Sequence, residues 1–152
     1  MPTALDRSRV LLTTAWVGSS WTIAYLVAPT LFASLPDQIM AGTIAGRLFL
    51  LESWLSVFCG IVIMALVYYR HKQLSWLVAG MVVCTVLGYF VLHPFMAELR
   101  ATGLTTADTK WKFGMLHTLS SGFYLIQSVL GAMLVLNGPV HLDAEQSRAA
   151  DH

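Results

Sequence analysis

The chain has 152 residues, with 9 Lys and Arg against 8 Asp and Glu, for a net charge of +1. Hydrophobic residues make up 57% and charged residues 11%, where a soluble domain carries roughly 25% charged; mean hydropathy is +0.68. These figures exclude a disordered chain, a disulfide scaffold, since there are only 2 cysteines, and a basic nucleic-acid surface, and they point to burial in lipid.

Val10–Leu35, the first apolar segment, carries no charge. Arg7 and Arg9 ahead of it imitate a signal peptide. Its apolar stretch is too long for that, and no small-residue cleavage site follows it cleanly, so it reads as a retained helix. Pro29 lacks an N–H, and the helix is expected to bend or fray there. Ser34-Leu35-Pro36-Asp37 fits a capping box, hydroxyl first and acid three later, and predicts a second helix from about Pro36 to Tyr69. Its apolar part, Phe49–Tyr69, carries a single charge, Glu52.

Leu74–Phe95, the third segment, has His93 as its ionisable group. His93-Pro94 is expected to end or kink it, leaving Pro94–Thr102 as a short interfacial helix. A second capping box, Thr105-Thr106-Ala107-Asp108, starts the fourth helix from about Thr106 to Leu136. Within it Phe113–Leu136 carries His117 and no formal charge. Asn137-Gly138-Pro139 reads as its stop, and the polar tail from His141 is expected to be mobile. The predicted fold is therefore all-α: an integral membrane four-helix bundle, up-down-up-down, with a short interfacial helix between the third and fourth helices. Residues 1–140 form one transmembrane domain and 141–152 a polar tail.

Even crossings put both termini on one side. Arg7, Arg9, Arg70, Lys72 and Arg148 share that side, against Arg47, Arg100, Lys110 and Lys112 on the other. The tight Arg70-His71-Lys72 turn tips the reading to cytoplasmic termini.

The helix faces carry the remaining information. Ser20-Ala24-Ala28, Gly42/Gly46 and Gly80-Cys84-Gly88 are small-residue ladders, suited to close helix packing or, at Gly42/Gly46, to a homodimer seam. On the fourth helix, His117, Ser120, Ser121, Tyr124, Gln127, Ser128 and Gly131 fall on one side, within roughly 120°. A polar stripe inside lipid faces other helices or a cavity. Glu52 and His117 stand at similar depth, each beginning a face of small or polar residues. They are expected to touch, directly or through one water, as a structural pair or as one that handles a ligand or a proton. Arg47 is about 140° round the helix from Glu52 and is no natural partner on a regular helix. The candidate ligand-binding set is Glu52, His117, Ser121, Tyr124 and Arg47; no catalytic set stands out.

No CxxC, HxxxH or HExxH occurs. Weak metal candidates are His93, His117, Cys59 and Cys84. The two cysteines, with Met64 and Met81 near a similar level, would suit Cu(I). His93 and His117 are the histidine pair open to haem, against which their faces mismatch. Neither cofactor is predicted; both stay open as the alternative.

The strings Tyr25–Phe32, Ala41–Phe49 and Phe113–Ser121 together resemble the bacterial membrane family labelled domain of unknown function 4149, which looks related to eukaryotic transmembrane protein 205. The resemblance covers roughly residues 8–137 and implies a small four-helix inner-membrane protein with no assigned reaction. A fainter similarity reaches copper-resistance D-type and protoporphyrinogen-oxidase-type membrane proteins. The latter are expected to carry a haem-binding histidine in the first helix, where this chain has none.

The expected function is non-enzymatic: binding a small hydrophobic molecule or a partner protein through the stripe on the fourth helix, in the bacterial inner membrane. The alternatives are a haem- or copper-binding redox or metal-handling protein, and an accessory subunit of a larger membrane complex. The lipid bilayer is the expected partner; a homodimer is possible and nucleic acid is not.

Overall fold

The computed structural model describes the backbone of residues 4–67 and 72–150, and side chains over 7–67, 72 and 74–137. Among the described residues all regular structure is helical: α1 (Ala4–Trp21), α2 (Ala28–Ser34), α3 (Gln38–Val67), α4 (Lys72–Thr85), α5 (Leu92–Ala101) and α6 (Ala107–Ala150). Two π-helical turns, Thr22–Val27 and Val86–Val91, join α1 to α2 and α4 to α5. The result is four spans long and apolar enough to cross a membrane: Arg7–Ser34, Gln38–Val67, Leu74–Ala101 and Ala107–Asn137.

The exterior is apolar and the interior partly polar, the reverse of a soluble protein. Leu11, Ile39, Leu51, Trp76 and Leu136 are exposed, while Glu52, Ser56, Thr85 and Gln127 are buried. Lipid around such a surface hides the exposed side chains, and the buried polar groups must find partners inside. This is a multi-pass membrane protein.

Both π-turns have a local cause. Pro29 and Pro94 lack an N–H, and each ring clashes with the carbonyl four residues earlier. Just before each proline the chain widens by one residue, with the Ala28 N–H reaching Ile23 O and the Leu92 N–H reaching Leu87 O. Helix direction survives both prolines. The first span therefore does not fray at Pro29, and His93-Pro94 does not end the third. The short helix predicted at Pro94–Thr102 is present as α5, continuous with that span.

The caps fall close to the predicted places. Asp37 Oδ1 accepts the backbone N–H of Ile39 (2.8 Å) and Met40 (3.2 Å), so Asp37 itself caps α3 and the helix starts at Gln38. Thr106 and Thr109 exchange hydroxyl-to-backbone bonds at 3.2 and 3.3 Å, a reciprocal cap one residue later than the predicted box. Asp108 instead pairs with Lys112 at 2.7 Å. Gly103, at φ 86°, turns the chain between α5 and α6 in the left-handed region where glycine is favoured. The backbone of α6 continues to Ala150, past Asn137-Gly138-Pro139. That sequence does not end the helix. The expected polar tail lies outside the described side chains.

The bundle is solid at one end and hollow at the other. Trp16, Val17, Cys59, Ile63, Val67, Leu74, Val78, Met81 and Leu134 form one buried cluster, all near the end that holds the chain termini. Glycines allow the close approach there. A Cβ on Gly60 would lie 2.3 Å from Val82 Cγ2, and one on Gly131 would lie 3.1 Å from Val17. Towards the other end the two hairpins part. No Cα of Thr22–Ser34 comes within 8 Å of α6, and none of α5 comes within 8 Å of α3.

Candidate functional site

The space between the parted hairpins is a cavity of about 570 Å³ with walls from all four spans. The small-residue ladders open it. Ala24 and Ala28, Gly42 and Gly46, and Cys84 and Gly88 line its walls, and Gly88 also packs against Phe123 and Ser120 of the fourth span. Gly42 and Gly46 are half-buried and line this cavity. The closest packing belongs to Gly60, Gly80 and Gly131.

The floor of the cavity is a hydrogen-bond network. The Trp16 indole N–H donates to Ser56 Oγ at 2.7 Å, and Ser56 donates to Glu52 Oε1 at 2.7 Å. Ser20 Oγ donates to the same carboxyl oxygen. Tyr124 O–H donates to the Ser20 carbonyl at 2.8 Å, and its ring meets Phe49 edge-on at 5.6 Å. Glu52 is 2% exposed and Ser56 0%. In lipid an unpaired carboxyl is costly, and two serines on adjacent helices supply its bonds. The predicted Glu52–His117 contact is not made directly: no hydrogen bond or ion pair joins them, although both line the cavity. The Ser20 and Ser56 hydroxyls, one helix away and one turn along, were closer donors. His117 is stacked at 5° on Phe113, centroids 6.2 Å apart.

The stripe on the fourth span divides by depth. His117, Ser120, Ser121, Tyr124 and Gln127 line the cavity. Ser128 accepts the Tyr25 O–H at 2.9 Å, and Gly131 packs on Val17. Ser120 donates to the Gly88 carbonyl at 3.0 Å, and Thr85 to Gln127 Oε1 at 3.0 Å. Tyr89 O–H donates to the Gly46 carbonyl at 3.3 Å. Every neighbouring pair of spans is thus tied across the cavity wall.

Among the candidate residues Arg47 stands apart: it is exposed and does not line the cavity. Arg100 does line it, with its guanidinium 5.4 Å from the centre of the Phe113 ring. His93 also lines it, stacked on Tyr89 at 4.5 Å. On a regular helix His93 would stand about 140° from Gly88. The π-turn Val86–Val91 brings residues five apart back towards one face, so both face the cavity. Ala24 and Pro29 are related in the same way across the first π-turn. An X-Pro inside an apolar run was the available signal, but it does not say which way a helix will adjust. Of the cysteines, Cys84 lines the cavity and Cys59 lies in the packed cluster. Among the described residues no three His, Cys, Asp or Glu side chains gather as a metal site would require.

The profile of one family, described as "Domain of unknown function (DUF4149)", matches residues 11–104. That stretch includes three of the four cavity walls and the whole of the carboxyl network except Tyr124. No curated protein and no solved structure matches the chain, and the fainter copper-resistance and oxidase-type similarity has no counterpart there.

Proposed function

The chain belongs to the DUF4149 family, whose description assigns no reaction, and from its cavity we propose that it binds a small, largely apolar molecule within the membrane. The observation that carries this is the cavity of about 570 Å³ walled by all four spans, a size and character typical of small-molecule sites. Its walls mix rings and small residues with a few fixed polar groups, and no nucleophile–base pair or paired carboxylates stand in it. The role is binding rather than catalysis. We place the protein in a bacterial inner membrane with both termini cytoplasmic, on the basic residues beside the Arg70–Lys72 turn and at Arg7 and Arg9.

Mass spectrometry of the protein released intact from native membranes is the test. A co-purifying apolar molecule in stoichiometric amount, lost when Gly42→Leu and Gly46→Leu fill the cavity, is the expected result. Protein released without any such molecule, and indifferent to the filling substitutions, would refute it. A phosphatase fusion after residue 138 should be inactive; activity there would reverse the topology.

A second reading, haem binding, draws on one observation: His93 and His117 both line the cavity. A Soret band in the purified protein would favour it over the first.

A further inference from the structure

Gln127 is 3% exposed, lines the cavity, and its amide is half used. Oε1 accepts from Thr85 at 3.0 Å, whereas Nε2 is buried with no partner. Turning the amide over would let the nitrogen donate to Thr85 Oγ1 and leave the oxygen unpartnered instead. In either orientation one polar atom at the inner end of the cavity is short of a bond. Buried polar groups are almost always satisfied in folded proteins, by protein atoms or by a molecule bound beside them.

The position of Gln127 limits what that molecule is. It lies about 15 Å along the helix from His117, away from Arg100 on the outer turns. At its own level the lining offers Thr85, Ser53 and Glu52. An anion there has no counter-charge and meets the Glu52 carboxyl. A cation would be drawn to the Glu52 carboxyl, whose Oε1 accepts two serine hydroxyls, and not to the Gln127 amide. A neutral hydroxyl serves whichever amide atom faces it.

The way in is lateral. From Thr22 onward no Cα of the first span comes within 8 Å of the fourth, and the Tyr25–Ser128 hydrogen bond spans the gap at its inner end. Tyr25 and Leu125, which flank that gap, are lining residues that are also 54% and 59% exposed. That surface faces lipid.

We propose that the cavity takes a membrane-dissolved neutral amphiphile, an apolar body carrying one hydroxyl or carbonyl oxygen, which enters between the first and fourth spans and hydrogen-bonds to the Gln127 amide. This rests on the cavity being a ligand site, and the experiment separates the two. The full chain in phospholipid vesicles is photolabelled with diazirine-bearing decanol, and in parallel with decanoate, decyltrimethylammonium and decane carrying the same diazirine. Labelled peptides are then mapped. The alcohol should label the cavity walls in preference to the outer faces and more strongly than decane does. Gln127→Leu should cut alcohol labelling about fivefold, the size set by one net neutral hydrogen bond, and leave decane labelling unchanged. The same variant should melt above the wild type, because an apolar group replaces an unsatisfied one.

Equal cavity labelling by decanol and decane in the wild-type protein, which needs no variant, would overturn the assignment to an oxygen-bearing ligand while leaving the cavity a ligand site. Preference for the quaternary ammonium probe would overturn it too and move recognition to Glu52. Labelling confined to the outer faces with every probe would overturn the cavity reading itself.

Discussion

Ser56→Ala removes the middle of the floor network. Ser56 is fully buried, accepts from the Trp16 indole and donates to Glu52, each at 2.7 Å. Without its hydroxyl the indole N–H is orphaned and the carboxyl keeps Ser20 alone. An unsatisfied buried donor costs about 1–3 kcal/mol. Hydrogen bonds between membrane helices average nearer 0.6 and reach about 1.7 kcal/mol, because the unfolded chain in lipid also finds partners. Trp16 is 0% exposed, so water does not replace the lost acceptor, and we expect the upper part of that range, about 1.5 kcal/mol. Trp16→Phe removes the donor together with its need and costs only the lost packing in the Gly60 region. In the double variant the orphan never arises, so the combined loss should fall short of the sum by about 1 kcal/mol. SDS-driven unfolding in mixed micelles, followed by far-ultraviolet circular dichroism, measures all four corners of the cycle. Additivity within about 0.3–0.5 kcal/mol would mean that the indole, the serine and the carboxyl do not act as one unit.

Gly60→Ala should destabilise by about 1–3 kcal/mol through overpacking, since its Cβ would sit 2.3 Å from Val82 Cγ2, while Gly42→Ala, with its nearest neighbour 3.9 Å away, should leave the melting temperature nearly unchanged; equal effects would deny the solid and hollow ends. Small membrane-permeant thiol reagents should modify Cys84, in the cavity wall, well before Cys59, in the packed cluster, and mass spectrometry showing equal rates would contradict that placement. Asp37→Ala should cost about 1 kcal/mol as a lost helix cap, read by the same micelle titration, whereas Ser34→Ala should cost little, because Asp37 supplies the cap.

The spans were legible in the sequence because their signal is additive: long uncharged runs of apolar residues need no knowledge of their neighbours. The inward side of the fourth helix was legible for a related reason, since a stripe running from His117 through Gln127 fixes a face whatever it meets. Pairings were not. Glu52 needed donors, and nothing local distinguishes His117 from Ser20 or Ser56 as their source; the choice depends on how two hairpins lean. The small ladders were read as seams because Gly and Ala let helices approach, which holds at Gly80 and Gly88, yet the same lack of bulk leaves a hollow where no neighbour fills it, as at Gly42 and Gly46. His93 was singled out but not placed in the wall, because the reading assumed a uniform helical pitch across a proline.

The two wide turns also fix something that substitution cannot reach. Each amounts to a one-residue insertion in an otherwise regular helix, placed between the network at the floor and the part of the wall that follows. Deleting a single non-lining residue there, such as Leu26 or Phe90, would alter no cavity side chain by name. Residues now five apart would become four apart, so the turn closes to a regular helix and keeps Phe32 on one hairpin, or His93 and Arg100 on the other, in the wall; the same deletion in an adjacent regular turn would instead rotate everything beyond by about 100° and draw it in by about 1.5 Å. For these two spans the count of residues in each turn between floor and mouth is therefore as much a determinant of the site as the residues themselves.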